Sequence, residues 1–233
     1  MIIGSGFIAN AFKSLYEANQ EVCIYAAGVS NSRCTDKSDF LRDQDLLKKI
    51  LSSLNKNELI VYFSTCSIGS VAPIFSSQYI EHKKRMEALV SEHNKFLILR
   101  VPQLAGFSKN NFTLLNYFSN KIQSGESFQA LKNGMRNILD IEHLASITHD
   151  VIKGHSDNLT MNIANPISVS VPEILLQLEC TLKKKPVCEF IDASHDNYDI
   201  DVAEMIKRAE VGKYRFDQGY LSRVIKKYYG AKL

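Results

Sequence analysis

The sequence predicts an α/β protein. Short apolar runs alternate with longer segments of helical period, the pattern of a parallel sheet covered on both faces. A glycine turn joins the first run directly to the first helical segment, and no internal repeat or low-complexity linker interrupts the alternation.

Apolar runs at 1–3, 22–27, 59–64, 96–101, 137–140 and 160–164 predict strands. Segments 7–18, 40–54, 77–93, 112–123, 141–153 and 171–182 carry apolar residues three and four apart and predict helices, with Pro172 suited to the first turn of the last. The tail at 218–229 places Leu221, Val224, Ile225 and Tyr228 on one face and Arg223, Lys226 and Lys227 around it. Its apolar stripe is of ordinary core size, so a packed terminal helix is expected rather than one lying on a membrane. At 233 residues the chain exceeds the common single-domain size, which fits one domain with an added lobe.

Composition excludes more than it assigns. The 28 basic and 25 acidic residues are interspersed, and Lys183, Lys184 and Lys185 form a tight basic run, which an exposed helix end explains. No nucleic-acid partner is expected. The five cysteines, Cys23, Cys34, Cys66, Cys180 and Cys188, contain no CxxC pair, so neither a disulfide framework nor a metal site is expected. No run reaches the length of a membrane span, and no signal peptide precedes the first strand, so a cytoplasmic protein is expected.

Gly4-Ser5-Gly6-Phe7-Ile8-Ala9 matches GxGxxG/A between a strand and a helix, the context this motif requires. Gly4 permits the tight turn, Gly6 lets backbone approach a pyrophosphate, and Ala9 lets the helix pack close to the sheet. A bare strand-to-helix turn uses similar residues. The acidic residue that would hold the adenosine ribose about twenty positions later is missing. The second run ends instead in Ala26-Ala27-Gly28-Val29-Ser30, with Arg33 beyond it as either a 2′-phosphate ligand or a surface arginine.

Tyr79 and Lys83 stand four apart on one predicted helix face, where an ammonium lowers the pKa of a phenol and makes it usable as an acid/base. YxxxK also occurs at Tyr117/Lys121 and Tyr228/Lys232, but only Tyr79 follows a strand ending in a hydroxyl cluster, Ser64-Thr65-Cys66-Ser67. The strand C-terminus is where open α/β sheets place ligands. Tyr117 and Tyr228 are expected to be packing residues.

Taken together, these motifs resemble the extended short-chain dehydrogenase/reductase family, in its nucleotide-sugar epimerase and dehydratase branch, through most of the chain. Gly4 to Ala9 is similar to the cofactor loop, Ala26 to Ser30 to the alanine-rich strand end, and Ser64 to Ile68 to the SSxxV or STxxV segment. Tyr79, Lys83 and Glu87 follow the YxxxK pattern, and Leu99 to Gly106 resembles LRxxNxxG. Arg136 to Glu142 resembles RDFxxVxD, and Asn162 to Glu173 a later NxGxxxxxSxxE stretch in which Asn165 shapes a turn.

The resemblance implies Thr65, Tyr79 and Lys83 as catalytic residues. It implies a cofactor, NAD or NADP, held by Gly4, Ser5, Gly6, Phe7, Ile8, Ala26, Ala27, Gly28, Arg33, Ser64, Tyr79, Lys83, Pro102 and Gln103. A nucleoside-diphosphate sugar is expected on Thr65, Ser67, Gln103, Asn111 and Arg136, although Arg136 serves equally as a salt-bridge partner of Asp140.

One strand, not the usual three, lies between Gly4 and the Thr65 strand, so a strand-helix-strand piece is missing, part of the adenine pocket goes with it, and the first strand is expected at a sheet edge. The loop from Thr65 to Tyr79 is short. Cys66 and Ser67 stand where 4,6-dehydratases carry Asp and Glu, which argues against that reaction.

The expected fold is therefore α/β, a Rossmann-like doubly wound parallel sheet shortened by about two strands, with a small C-terminal substrate lobe. Residues 1–106 with 135–165 would form the dinucleotide-binding domain, and 107–134 with 166–233 the substrate lobe and terminal helix. The expected activity is NAD(P)-dependent 4-epimerisation or 4-ketoreduction of a nucleotide sugar for surface polysaccharide, by a homodimer. The alternatives are a degenerate member that binds without turnover and a dimeric scaffold or regulator.

Overall fold

The computed structural model describes residues 1–69, 78–108, 110–111, 113–154, 158–192 and 199–230. Its centre is a five-stranded, all-parallel sheet of β1 (Ile2–Ile3), β2 (Val22–Tyr25), β3 (Leu59–Thr65), β4 (Phe96–Val101) and β9 (Leu159–Asn162), in the order β1-β2-β3-β4-β9. β2 and β3 are buried at every residue, which is why they read as unbroken apolar runs.

Alternate strand residues serve opposite faces. On one face Ile24, Val61, Phe63, Leu97 and Leu99 pack against Phe12 and Tyr16 of α1 (Phe7–Tyr16) and Leu144 and Ile147 of α5 (Ile141–Lys153). On the other, Tyr25, Ile60, Tyr62 and Ile98 meet Leu47 of α2 (Lys37–Ser53) and Met86 and Val90 of α3 (Gln78–Ser91).

This layering determines the hand of each crossover. The steps from β1 to β2, β2 to β3 and β3 to β4 all run the same way along the sheet, yet α1 covers one face and α2 and α3 the other. The β1-α1-β2 unit is therefore of opposite hand to the next two, although about 98% of parallel crossovers share one hand. In a complete doubly wound sheet, α1 leads to strands on the far side of β1 before the chain crosses back. Removing that piece leaves α1 on its face and sends the chain straight to the near side, which reverses the hand. β1 consequently stands at the sheet edge among the described residues.

Helix boundaries follow their caps. α2 begins at Lys37, ahead of the expected position 40, because the Asp36 side chain accepts from the Ser38 amide. Asp140 caps α5, and Ser170 caps α6 (Val171–Leu182), whose first turn holds Pro172. Ser77, Phe112 and Lys232 lie outside the described residues, as does most of the loop before Tyr79.

The run at 137–140 forms β8 (Ile138–Asp140), but it pairs in parallel with β5 (Gln103–Ala105) and not with the central sheet. Four short strands escape an apolar-run reading because they are brief or half exposed: β6 (Phe128–Leu131) beside β11 (Cys188–Ile191), and β7 (Met135–Arg136) beside β10 (Val169–Ser170). α4 (Leu114–Ser124), α6 and α8 (Tyr220–Tyr229) pack together and extend the α1/α5 core, and the six-residue α7 (Ala203–Arg208) lies against α5 and β9. Buried Leu221, Val224, Ile225 and Tyr228 make α8 a packed terminal helix. No helix of the described residues is long and apolar enough to cross a membrane.

Candidate functional site

A cleft of about 1960 Å³ opens over the C-terminal ends of β1 to β4. Its wall includes Gly4, Ser5, Gly6, Phe7 and Ile8 from the first turn, and Ala26, Ala27, Gly28 and Arg33 after β2. Ser64, Thr65 and Ser67 contribute from the end of β3, Tyr79 and Lys83 from α3, Pro102 and Gln103 after β4, and Asn111 and Arg136 from the far side. Every site residue expected from the sequence thus faces one cavity.

The three small residues of the turn have separable surroundings. Gly4 has φ +116°, and a Cβ there would lie 2.6 Å from the Ala26 carbonyl oxygen, so this glycine is required by backbone conformation and by the approach of β2. Ala9 is fully buried under the sheet. At Gly6 an added Cβ meets no atom within 4 Å, so open cleft lies above it. The first amides of α1, which lack intrahelical acceptors, are placed to receive an anion.

At the end of β3 the Thr65 hydroxyl accepts from the Ser67 amide at 3.2 Å, which holds the short 3-10 turn Cys66–Ile68 and leaves the hydroxyl proton for a ligand oxygen. The neighbouring Ser64 hydroxyl is buried and has no hydrogen-bond partner among the described residues. Burial pushes the Cys66 thiol up to about 12, and the thiol donates to the Arg100 carbonyl, so it is a packing group and not a nucleophile.

Tyr79 and Lys83 lie one turn apart on α3, both buried, with the ammonium 5.8 Å from the Tyr79 ring centre. The Lys83 ammonium donates to the Tyr62 hydroxyl at 3.1 Å and the Phe63 carbonyl at 3.3 Å, which uses two of its three protons. Burial lowers its pKa to about 8, against the opposing pull of Asp43 and Glu87. Glu87 is itself held in a two-bond pair by Arg100, at 2.9 and 2.7 Å.

The sequence reading missed Asp43. Its buried carboxylate accepts from His82 Nε2 at 2.9 Å, the Tyr25 hydroxyl at 2.8 Å and the Val29 amide at 3.1 Å. Burial alone would raise its pKa, but these bonds and the Lys83 charge together hold it below the usual carboxylate value. The signal was the spacing Phe40, Asp43, Leu47, which puts a carboxylate on the apolar face of α2. Asn10, Ser14 and His149 also line the cleft, and His149 Nδ1 lies 2.9 Å from the Tyr16 hydroxyl.

Arg136 faces the cleft and donates to the Met135 carbonyl, whereas the Asp140 carboxylate is bonded by Lys227, the Tyr228 hydroxyl and the Glu142 amide. The alternative of an Arg136–Asp140 salt bridge is thereby corrected: α8 supplies the partners that Asp140 uses. Tyr228 packs as expected, while Tyr117, set edge-on to Phe128, also reaches the cleft wall. Asn165 Oδ1 accepts from the Ile167 amide and shapes the expected turn. Among the described residues no cluster of His, Cys, Asp and Glu is suited to a metal.

No family model matches the sequence, and no curated protein matches it. Solved structures do. UDP-glucuronic acid 4-epimerase from Bacillus cereus, in complex with UDP-glucuronic acid and NAD, superposes with TM-score 0.73 at 16% identity, over 98% of this chain and 88% of that one. UDP-glucose 4-epimerase from Thermus thermophilus with NAD gives 0.71 at 13% identity, over 97% and 83%. RMD from Pseudomonas aeruginosa with NADPH gives 0.72 at 14% identity, over 89% and 90%. The chain thus shares the Rossmann-like fold of these solved structures, with its first strand left at the sheet edge among the described residues.

Proposed function

We propose that the protein is an NAD(P)-dependent nucleotide-sugar enzyme, a 4-epimerase or 4-ketoreductase, in which Thr65, Tyr79 and Lys83 carry the proton chemistry. The observation that supports it most is the placement of Tyr79 and Lys83 in the same wall as the open turn at Gly6. Two features fit a dinucleotide: the space above Gly6 beside the start of α1, and the partnerless Ser64 hydroxyl at the end of β3. A bound nicotinamide would supply the hydride acceptor and donor.

The chain's own residues do the rest. Thr65 donates to the sugar oxygen and fixes it. Tyr79 takes the hydroxyl proton when that carbon is oxidised and returns it on reduction. Lys83 stabilises the phenolate from beside its ring and retains one proton for a ligand hydroxyl. Arg136 and Asn111, across the cleft, would meet the diphosphate side of a nucleoside-diphosphate sugar, and residues 107–134 with 166–233 would form the lobe that holds it.

The test is turnover of UDP-hexoses and UDP-hexuronates with each dinucleotide, comparing the wild type with Tyr79→Phe. Loss of turnover with the fold and binding retained supports the assignment, and a variant of near-wild-type rate refutes it. A second reading, binding without turnover, is favoured by β1 standing at the sheet edge, which trims the adenosine side. Saturable binding with no turnover of any of these sugars would select it.

A further inference from the structure

The buried carboxylate of Asp43 has no part in the chemistry above, yet it shares the surroundings of Gly28 with Lys83, the residue on which that chemistry depends, and its charge acts on that ammonium without a direct hydrogen bond. Its side chain comes from α2, Lys83 comes from α3, and the two converge on Gly28. A Cβ on Gly28 would stand 3.2 Å from Lys83 Nζ and 3.3 Å from Asp43 Oδ2. A side chain at this position would press on both charged groups.

Both groups are almost removed from water, Lys83 at 4% exposure and Asp43 at 3%. A buried ammonium without a counter-charge gives up its proton. Among the described residues, the charged and titratable groups around it are Asp43 from α2, His82, Tyr79 and Glu87 from α3, Tyr25 from β2, Tyr62 from β3 and Arg100 from β4. Glu87 is neutralised by its two-bond pair with Arg100. Asp43 has no such permanent cation. It accepts from an imidazole N–H, a phenol and an amide, all of which stabilise its negative charge without cancelling it. The ring stack of His82 on Phe40, 4.6 Å between centres, holds the imidazole in that role.

We propose that Asp43 is a positioning residue for Lys83: fixed by His82, Tyr25 and the Val29 amide, its carboxylate is the counter-charge that keeps the buried ammonium protonated beside Tyr79. The proposal rests on the catalytic reading for its purpose, but the charge pairing stands without it. The Val29 bond gives Asp43 a second hold, on the loop that forms the cleft wall after β2. One carboxylate thus ties the position of that loop to the charge of the lysine.

The experiment follows Lys83 by NMR of its ε-carbon and ζ-nitrogen in the full-length, ligand-free protein from pH 2 to 11, a range that reaches below the usual carboxylate value because Asp43 is held under it. In the wild type the midpoint is expected at about 8. Asp43→Asn should lower it by about one pH unit, a tenfold change in proton affinity. Asp43→Glu should restore it, and Glu87→Gln should move it less than Asp43→Asn. A midpoint in Asp43→Asn that stays in place, or moves no further than in Glu87→Gln, overturns the proposal. Should Asp43→Asn not fold, the wild type still decides: the Lys83 signal must show a second, acid inflection as Asp43 protonates, and its absence overturns the proposal. Dinucleotide and sugar are absent throughout, so a failed binding assay would count against the catalytic reading and leave this result standing.

Discussion

Gly4 and Ala26 meet so closely across β1 and β2 that a methyl group at position 4 would lie 2.6 Å from the Ala26 carbonyl oxygen, while two residues on, at Gly6, the same methyl would touch nothing within 4 Å. One glycine serves the fold and the other leaves room over the cleft. Gly4→Ala is therefore expected to cost about 2 to 3 kcal/mol in urea unfolding, from the left-handed backbone and the clash together. Gly6→Ala should stay within about 1 kcal/mol of wild type and yet lose at least about tenfold in NADH affinity, read by fluorescence titration. Equal destabilisation by both would show that the turn is structural only.

The Ser64 hydroxyl is buried and has no partner among the described residues. An unsatisfied buried hydroxyl costs about 1 kcal/mol or more, so Ser64→Ala should leave the ligand-free protein equally stable or up to about 1 kcal/mol more stable. Dinucleotide binding should weaken by about fivefold if that hydroxyl is used by the ligand. Calorimetric unfolding with and without NADH separates the two effects. Destabilisation of the free protein would show that the hydroxyl already has a partner.

With β1 at the edge of the sheet, the adenosine end of the cleft is bounded by α1, through Asn10 and Ser14, and by the loop that carries Arg33. The carboxylate that usually holds the ribose is missing from the sequence. Reduced nicotinamide mononucleotide should accordingly bind within about tenfold of NADH, and AMP should compete poorly with either. A hundredfold preference for the full dinucleotide, by the same titration, would mean that these residues rebuild the adenosine pocket.

Lys83 has its pKa lowered to about 8 by burial, so folding disfavours its charged form. The sign follows from proton counting: between pH 8 and 10.5 the unfolded chain binds more protons at this residue, and stability rises with pH. From pH 7 to 9 Lys83 contributes a gain of about 1 kcal/mol, which Cys23 and Cys66, whose pKa values burial raises, partly offset in both the wild type and a Lys83 variant. Urea unfolding at the two pH values should show this rise in the wild type and not in Lys83→Met. The same slope in both proteins would mean that Lys83 is solvated.

Much of this was legible because single residues announce their surroundings. The apolar spacing at 141–153 and 171–182, with Pro172 in the first turn of the second, marks helices that the structure reproduces to the residue. The missing strands could be counted from the distance between Gly4 and Thr65, and the edge position of β1 follows. What stayed hidden depends on partners distant in the chain. Asp43 reads as an ordinary helix carboxylate until His82, 39 residues later, is found against it. The strand at Ile138–Asp140 was visible as a strand, but its partner, the three-residue Gln103–Ala105, was too short to show a period. Asp140 looked like a partner for nearby Arg136 because Lys227, 87 residues away, could not be foreseen.

We propose that the cleft, with its open glycine turn, a buried hydroxyl that has no partner among the described residues and a tyrosine beside a buried lysine, binds a nicotinamide dinucleotide. Titration of the purified protein with NAD, NADH, NADP and NADPH tests that claim most directly. Saturable one-site binding to at least one of them, weakened at least about tenfold by Gly6→Ala, is the predicted result. No saturable binding to any of the four would contradict it.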